Sequence, residues 1–127
     1  MTNKFSTNSR GKLDETHDHI QCVFEHVLPV YDITVVWGYR GERTQTKAFE
    51  EGYSDLEWPK SRHNLVPSLA IDVVPYPIDW NDIERFIELS WVIKGVISVL
   101  ECPLEWGGDW TTRKDYAHWQ LPRGYTV

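Results

Sequence analysis

The run Leu69-Ala70-Ile71-Asp72-Val73-Val74 constrains this chain more than any other stretch of it. It is apolar and rich in β-branched residues, with Pro67 before it and Pro75 after it, so it reads as a buried strand carrying a carboxylate in its middle. An ionised carboxylate in such a place is costly unless a cation pairs with it or coordinates it. His63 and His118 lie in or beside further short strand-like text. Two imidazoles and one carboxylate make the protein half of a hydrolytic zinc site, with the fourth position left to water. Taken singly, each of the three reads better as an ordinary hydrogen-bonded histidine or a turn or cap aspartate. Taken together, they keep both readings open.

The 127 residues make one domain, long enough to bury roughly two thirds of the surface of the unfolded chain. Residues 1–12 form a polar lead-in. Leu13 to about Leu28 reads as a helix, with Leu13, Ile20, Phe24 and Leu28 near helical spacing and Pro29 closing it. Asp32 to Trp37 reads as a strand ended by Gly38, and Glu42 to Glu51 as a short helix stopped by Gly52. Tyr53 to Pro67 is loop-like, and Leu69 to Val74 is the second strand. Asp79 is the expected N-cap of a long helix through about Glu101, weakened by Gly95, with Ile83, Phe86, Ile87, Trp91 and Val92 on its apolar side. Leu104–Trp106 and Tyr116–Leu121 read as short strands around the turn-rich Gly107-Gly108-Asp109. Without regular βαβ alternation, this order predicts an α+β fold: a small, mainly antiparallel sheet packed against helices, with the zinc site on the sheet face.

A net charge of −6 disfavours nucleic acid, whose phosphates need clustered Lys and Arg. Met1 to Asp18 lacks the apolar centre of a signal peptide. Phe86 to Leu100 is interrupted by Glu88 and Lys94 and is too short to span a bilayer. The expectation is a monomer made in the cytoplasm, with no stable membrane association. Cys22 and Cys102 have neither zinc-clip spacing nor disulfide density, and read as buried thiols. The seven tryptophans suit core and rim packing, or an aromatic wall along a groove.

Asp72 shares its strand face with Ala70 and Val74, and His118 shares its own with Tyr116 and Gln120. If the two strands are neighbours, Asp72 and His118 converge and the loop folds His63 over them, with small Ala70 leaving room for an ion. Asp115 is the candidate base. Three residues from His118, it would face the opposite side of a regular strand, so the role requires a turn at Arg113-Lys114-Asp115. A solvated loop aspartate is the other reading of it. Arg40, just after the first strand, is a candidate to stabilise an oxyanion, though a surface arginine reads the same way. His17, His19 and His26 compete as ligands, but their spacing makes solvated histidines the expectation. No GxSxG is present, and neither cysteine has an obvious histidine partner.

The ordered set Gly38-Tyr39-Arg40 with Gln45, Ser61-Arg62-His63, Ala70-Ile71-Asp72 and Asp115-Tyr116-Ala117-His118 resembles the LAS-type zinc peptidases. That group holds VanY-like D-Ala-D-Ala carboxypeptidases and phage L-alanyl-D-glutamate endolysins. Trp58 to Asn64, Asp72 to Pro77 and Trp106-Gly107-Gly108-Asp109-Trp110 are similar to its small phage-associated branch. The resemblance implies zinc on His63, Asp72 and His118, and Asp115 as general base on the turn into the last strand. It implies Arg40 on the substrate carbonyl or carboxylate, with Gln45 and Ser61 binding substrate or supporting the site. The implied activity is cleavage of peptidoglycan stem peptides by an endolysin acting on the cell wall, with a holin as the partner that releases it. A D,D- or L,D-carboxypeptidase is the alternative within the class. A non-catalytic, zinc-stabilised module that binds cell wall or protein is the alternative outside it, and glycan hydrolysis by Glu101 and Glu105 is a third. The segment between His63 and Asp72 is longer than in many relatives, with Pro67-Ser68 inside it.

Overall fold

The computed structural model describes residues 3–125. Its elements are helix α1 (Thr7–Asp14), helix α2 (Asp18–Val27), strand β1 (Ile33–Trp37), helix α3 (Glu42–Glu50), strand β2 (Ala70–Pro75), helix α4 (Ile83–Leu100), strand β3 (Glu105–Trp106) and strand β4 (His118–Gln120). The four strands form one antiparallel sheet in the order β1-β2-β4-β3. The fold is α+β, as the sequence predicts.

Alternation along the strands separates the two faces of the sheet. Ile71 and Val73 of β2, with Trp119 and Leu121 around β4, join Ile20, Val23, Phe24 and Val27 of α2 and Leu89 and Ile93 of α4 in the main core. Val74, Ala117 and Phe86 near the start of α4 form a second, smaller cluster, and Asp72 and His118 share the face of the sheet opposite Ile71 and Trp119. All six residues of β2 are buried. Truncating a core residue such as Ile71 to Ala would cost roughly 2–5 kcal/mol. β1 is an edge strand, and α1 lies along it: Ser9 Oγ accepts the Val35 N–H at 3.0 Å, closing a donor that an open edge would expose.

Several expectations are corrected. The predicted helix from Leu13 to Leu28 is two helices, and the first begins inside the polar lead-in, capped by Ser6. The break comes from a long-range contact. Ser68 N–H donates to Glu15 C=O at 2.9 Å and His17 N–H to Ser68 C=O at 2.9 Å, which draws the chain out of helical geometry. His17 caps α2 through its ring and is buried, so it is not the solvated histidine expected. Its ring also meets those of His19 and Tyr125, with centroids 5.1 and 5.2 Å away. The long helix is capped by Asp82, while Asp79 accepts the Asn81 N–H in the turn before it. α4 runs through Gly95, where an added Cβ would meet nothing, and Trp91 points to solvent at 67 % exposure. Cys22 is exposed, and only Cys102 is a buried thiol. No helix among the described residues is long and apolar enough to cross a membrane.

Candidate metal centre and active site

Asp72 and His118 are direct partners across β2 and β4. Val73 N–H donates to Ala117 C=O, and Leu121 N–H to Leu69 C=O. That places the Asp72–His118 pair between hydrogen-bonded rungs, where opposed side chains stand closest. His63 arrives on a one-turn 3-10 helix, Arg62–Asn64. Ser61 Oγ accepts the His63 N–H at 3.1 Å, and Asn64 Oδ1 accepts the Ser61 N–H at 3.0 Å, a reciprocal cap that sets the direction of the turn. Arg40 N–H donates to His63 C=O at 2.8 Å, tying this turn to the end of β1.

Three ligand atoms meet here. His63 Nε2 lies 3.3 Å from Asp72 Oδ1 and 3.3 Å from His118 Nδ1, and His118 Nδ1 lies 3.1 Å from Asp72 Oδ1. Atoms bound at about 2.0–2.1 Å around one tetrahedral zinc stand roughly 3.3 Å apart, so the spacing fits the ion. The chemistry fits as well. His63 Nδ1–H donates to Gly38 C=O at 2.7 Å, and His118 Nε2–H to Gln120 Oε1 at 2.7 Å. In the neutral rings these bonds turn two lone pairs and a carboxylate oxygen toward one another with no proton between them. Such a set calls for a cation, and among the described residues no other group of His, Cys, Asp or Glu has this closeness.

Burial alone would push the Asp72 carboxyl up, yet in the metal-free site the imidazoles of His63 and His118, once protonated, hold it well below the usual carboxylate range by charge and hydrogen bonding. Burial pushes the His63 imidazole down. For His118, burial also acts downward, but the hydrogen bond and charge of Asp72 win and raise it.

Asp115 sits in a turn, not in the strand. Its carbonyl accepts the His118 N–H at 3.2 Å, and its own N–H donates to Gly107 C=O at 3.0 Å. The turn removes the periodicity objection. Burial, and then repulsion from Asp72, push its carboxyl up. The Arg40 guanidinium is almost buried, with Nη2 3.7 Å from Asp72 Oδ2 and with Nε lacking any partner. Burial lowers its pKa, against the pull of Asp72 and Asp115. Gln45 lies away from the cluster and is fully buried. It donates to Ser54 Oγ at 3.0 Å and Leu56 C=O at 2.7 Å and accepts from Asn64 at 3.2 Å, so it braces the loop behind His63. Ser61 acts as the cap described above.

A family model described as phage L-alanyl-D-glutamate peptidase matches residues 1–124. The chain belongs to this family. The L-alanyl-D-glutamate peptidase of Escherichia phage T5 is 34% identical over 130 residues, covering 98% of this chain and 93% of its own. The crystal structure of the Serratia marcescens L-Ala D-Glu endopeptidase ChiX matches with a TM-score of 0.80 at 26% identity, over 93% of this chain and 89% of that one. The resemblance to LAS-type peptidases is thereby borne out, and with it the peptidase class.

This phage L-alanyl-D-glutamate peptidase family member also uses residues to which the sequence reading gives no role of their own. Gln120, which strand period already puts on the His118 face, fixes the His118 ring. Gly38 supplies the carbonyl for His63 and must be glycine, since a Cβ there would come within 2.2 Å of Lys12 O. Ser68 also donates to that carbonyl, at 3.2 Å, so the longer segment before Asp72 feeds the support of His63. The Trp106-Gly107-Gly108 motif forms a seat for the turn that carries Asp115. Trp106 Nε1 donates to Tyr116 C=O at 2.9 Å, and a Cβ on Gly107 would reach 2.4 Å from Asp115 O. Of the tryptophans, Trp106 and Trp119 stack in the core, whereas Trp37, Trp80 and Trp110 line the hollows beside the cluster.

Proposed function

We propose that this chain is a zinc-dependent endopeptidase that cuts the L-alanyl–D-glutamate bond of peptidoglycan stem peptides. The observation that carries the reading is the convergence of His63 Nε2, His118 Nδ1 and Asp72 Oδ1 beside the half-buried Asp115. Zinc held by those three side chains would supply Lewis-acid chemistry, acidifying a water and polarising the scissile carbonyl. Asp115 takes the proton of the attacking water on its carboxylate and passes it to the leaving amine. Its raised pKa brings it closer to the neutral range where such a shuttle works. Arg40 places a buried guanidinium where the carbonyl oxygen becomes anionic, and its unpartnered Nε–H is a donor still to be used. Ser61 and Gln45 hold the His63 turn and leave the chemistry to others.

Hollows open on both sides of the cluster and share Arg40, Tyr53, Arg113 and Asp115. A chain that continues in both directions from the scissile bond fits this better than a carboxypeptidase substrate, which ends one residue beyond it. A binding module would have no use for Asp115, whose half-buried charge beside Asp72 costs stability.

The test is mass spectrometry of fragments released from purified peptidoglycan by zinc-loaded protein and by chelator-treated protein. Zinc-dependent fragments with a free D-glutamate amine are expected. Release of D-alanine would move the assignment to a carboxypeptidase, and an intact wall with zinc still bound would move it to a binding module.

A further inference from the structure

The two hollows beside the cluster differ in size and in charge. The larger, about 850 Å³, extends along α3 to Trp80, and the smaller, about 250 Å³, lies by Leu56 and Trp110. Although the chain carries a net charge of −6, Arg40, Arg43, Lys47, Arg113 and Lys114 all border the larger hollow. Three of these cations are already engaged. Arg40 faces Asp72, Arg113 pairs with Asp55 and the Gly52 carbonyl, and Lys114 donates to the carbonyls of Gly108 and Trp110. Arg43 and Lys47 are different: among the described residues neither is in an ion pair. They stand one helical turn apart on α3, on the same wall, with Glu51 a turn further along.

The substrate is asymmetric in the same sense. On the acyl side of an L-alanyl–D-glutamate bond there is one small residue before the lactyl group of the glycan. On the amine side, D-glutamate is linked onward through its γ-carboxyl, which leaves its α-carboxylate free, and a diamino acid with its own carboxyl groups follows. Anionic groups close to the scissile bond therefore lie on the amine side. We infer that Arg43 and Lys47 form the subsite for these carboxylates. The D-glutamyl–diamino acid segment then occupies the larger hollow, and L-alanine the smaller. The inference rests on the endopeptidase reading above, and it adds the direction in which the peptide lies and the residues that select it.

The test separates binding from turnover. Zinc-loaded Asp115→Asn protein is titrated calorimetrically with L-Ala-γ-D-Glu-diamino acid peptide, and with the same peptide amidated at the carboxyls of its amine-side residues. Tighter binding of the free acid, by about ten-fold or more, is expected. Adding Arg43→Gln and Lys47→Gln should remove most of that preference, with zinc content retained. Arg43→Lys should restore part of it. Equal affinity for the two peptides, or a preference that survives the double substitution, overturns the subsite. Failure of the wild-type protein to cut the free peptide would instead overturn the endopeptidase reading, and the calorimetric comparison stands apart from it.

Discussion

His63 Nε2 and His118 Nδ1 face each other at 3.3 Å, with the proton of each neutral ring directed away, to Gly38 and to Gln120. Two lone pairs this close repel unless a positive charge lies between them, and Asp72 adds a third electron-rich atom. The arrangement therefore has a thermodynamic signature.

Zinc at about one hundred times its Kd should stabilise the fold by about 2.7 kcal/mol. For a domain of this size that is a rise in Tm on the order of 10 °C. Scanning calorimetry with zinc and with excess chelator reads it directly. Melting that ignores zinc would mean that the cluster is not a metal site.

Gln120→Ala removes the acceptor that orients the His118 ring while leaving all three ligands in place. Loss of such a partner typically lowers metal affinity roughly 10–100-fold. Competition with a chromogenic chelator measures this, and Gln120→Glu, which keeps an acceptor at the same position, should recover much of the loss.

Asp115→Asn should keep zinc and lose turnover by roughly 10²–10⁴-fold, the usual contribution of a positioned acid–base group. The same variant carries a pH signature in the metal-free protein. Burial and then Asp72 raise the folded pKa of Asp115, so its ionised form is destabilising. The penalty is absent below the unfolded carboxylate value of about 3.9, grows as pH rises toward the raised folded value, and is complete above it. The asparagine variant should therefore melt higher than wild type at neutral pH, and the gap should close as the solution is acidified. A gap that widened in acid would contradict the raised pKa.

Gly107→Ala would set a Cβ within 2.4 Å of Asp115 O and 3.0 Å of Asp115 Cβ. The turn holding Asp115 must then move, and His118 N–H, which donates to the same carbonyl, loses its partner. A displacement of about 1 Å in a catalytic group can cost on the order of 10²-fold in rate. Turnover should fall far more than zinc affinity, a comparison that kinetics and chelator competition together supply.

Much of this site was legible before any fold was known, because its chemistry follows the period of the strands. Asp72 stands out as a charge inside an apolar run, and His118 as its counterpart on another short strand. Asp115 was ambiguous, since spacing alone could not say where β4 begins. The missed features depend on contacts far apart in sequence. Ser68 breaks the helix at Glu15–His17 from more than fifty residues away. Trp91 follows helical spacing but falls on the side of α4 that no other element covers. Gly95 weakens the helix only by local propensity, and the packing of Leu89 and Ile93 into the core outweighs it.

The pairing of Asp72 with His118 across β2 and β4 makes activity a readout of how the chain was assembled. A slip of one residue between these strands would turn one ligand into the helical core and strand the other on the opposite face. Such a molecule would keep nearly the same secondary structure and lose all capacity for metal. Zinc occupancy after refolding thus counts the correctly registered fraction of the population, where circular dichroism would count every sheet alike.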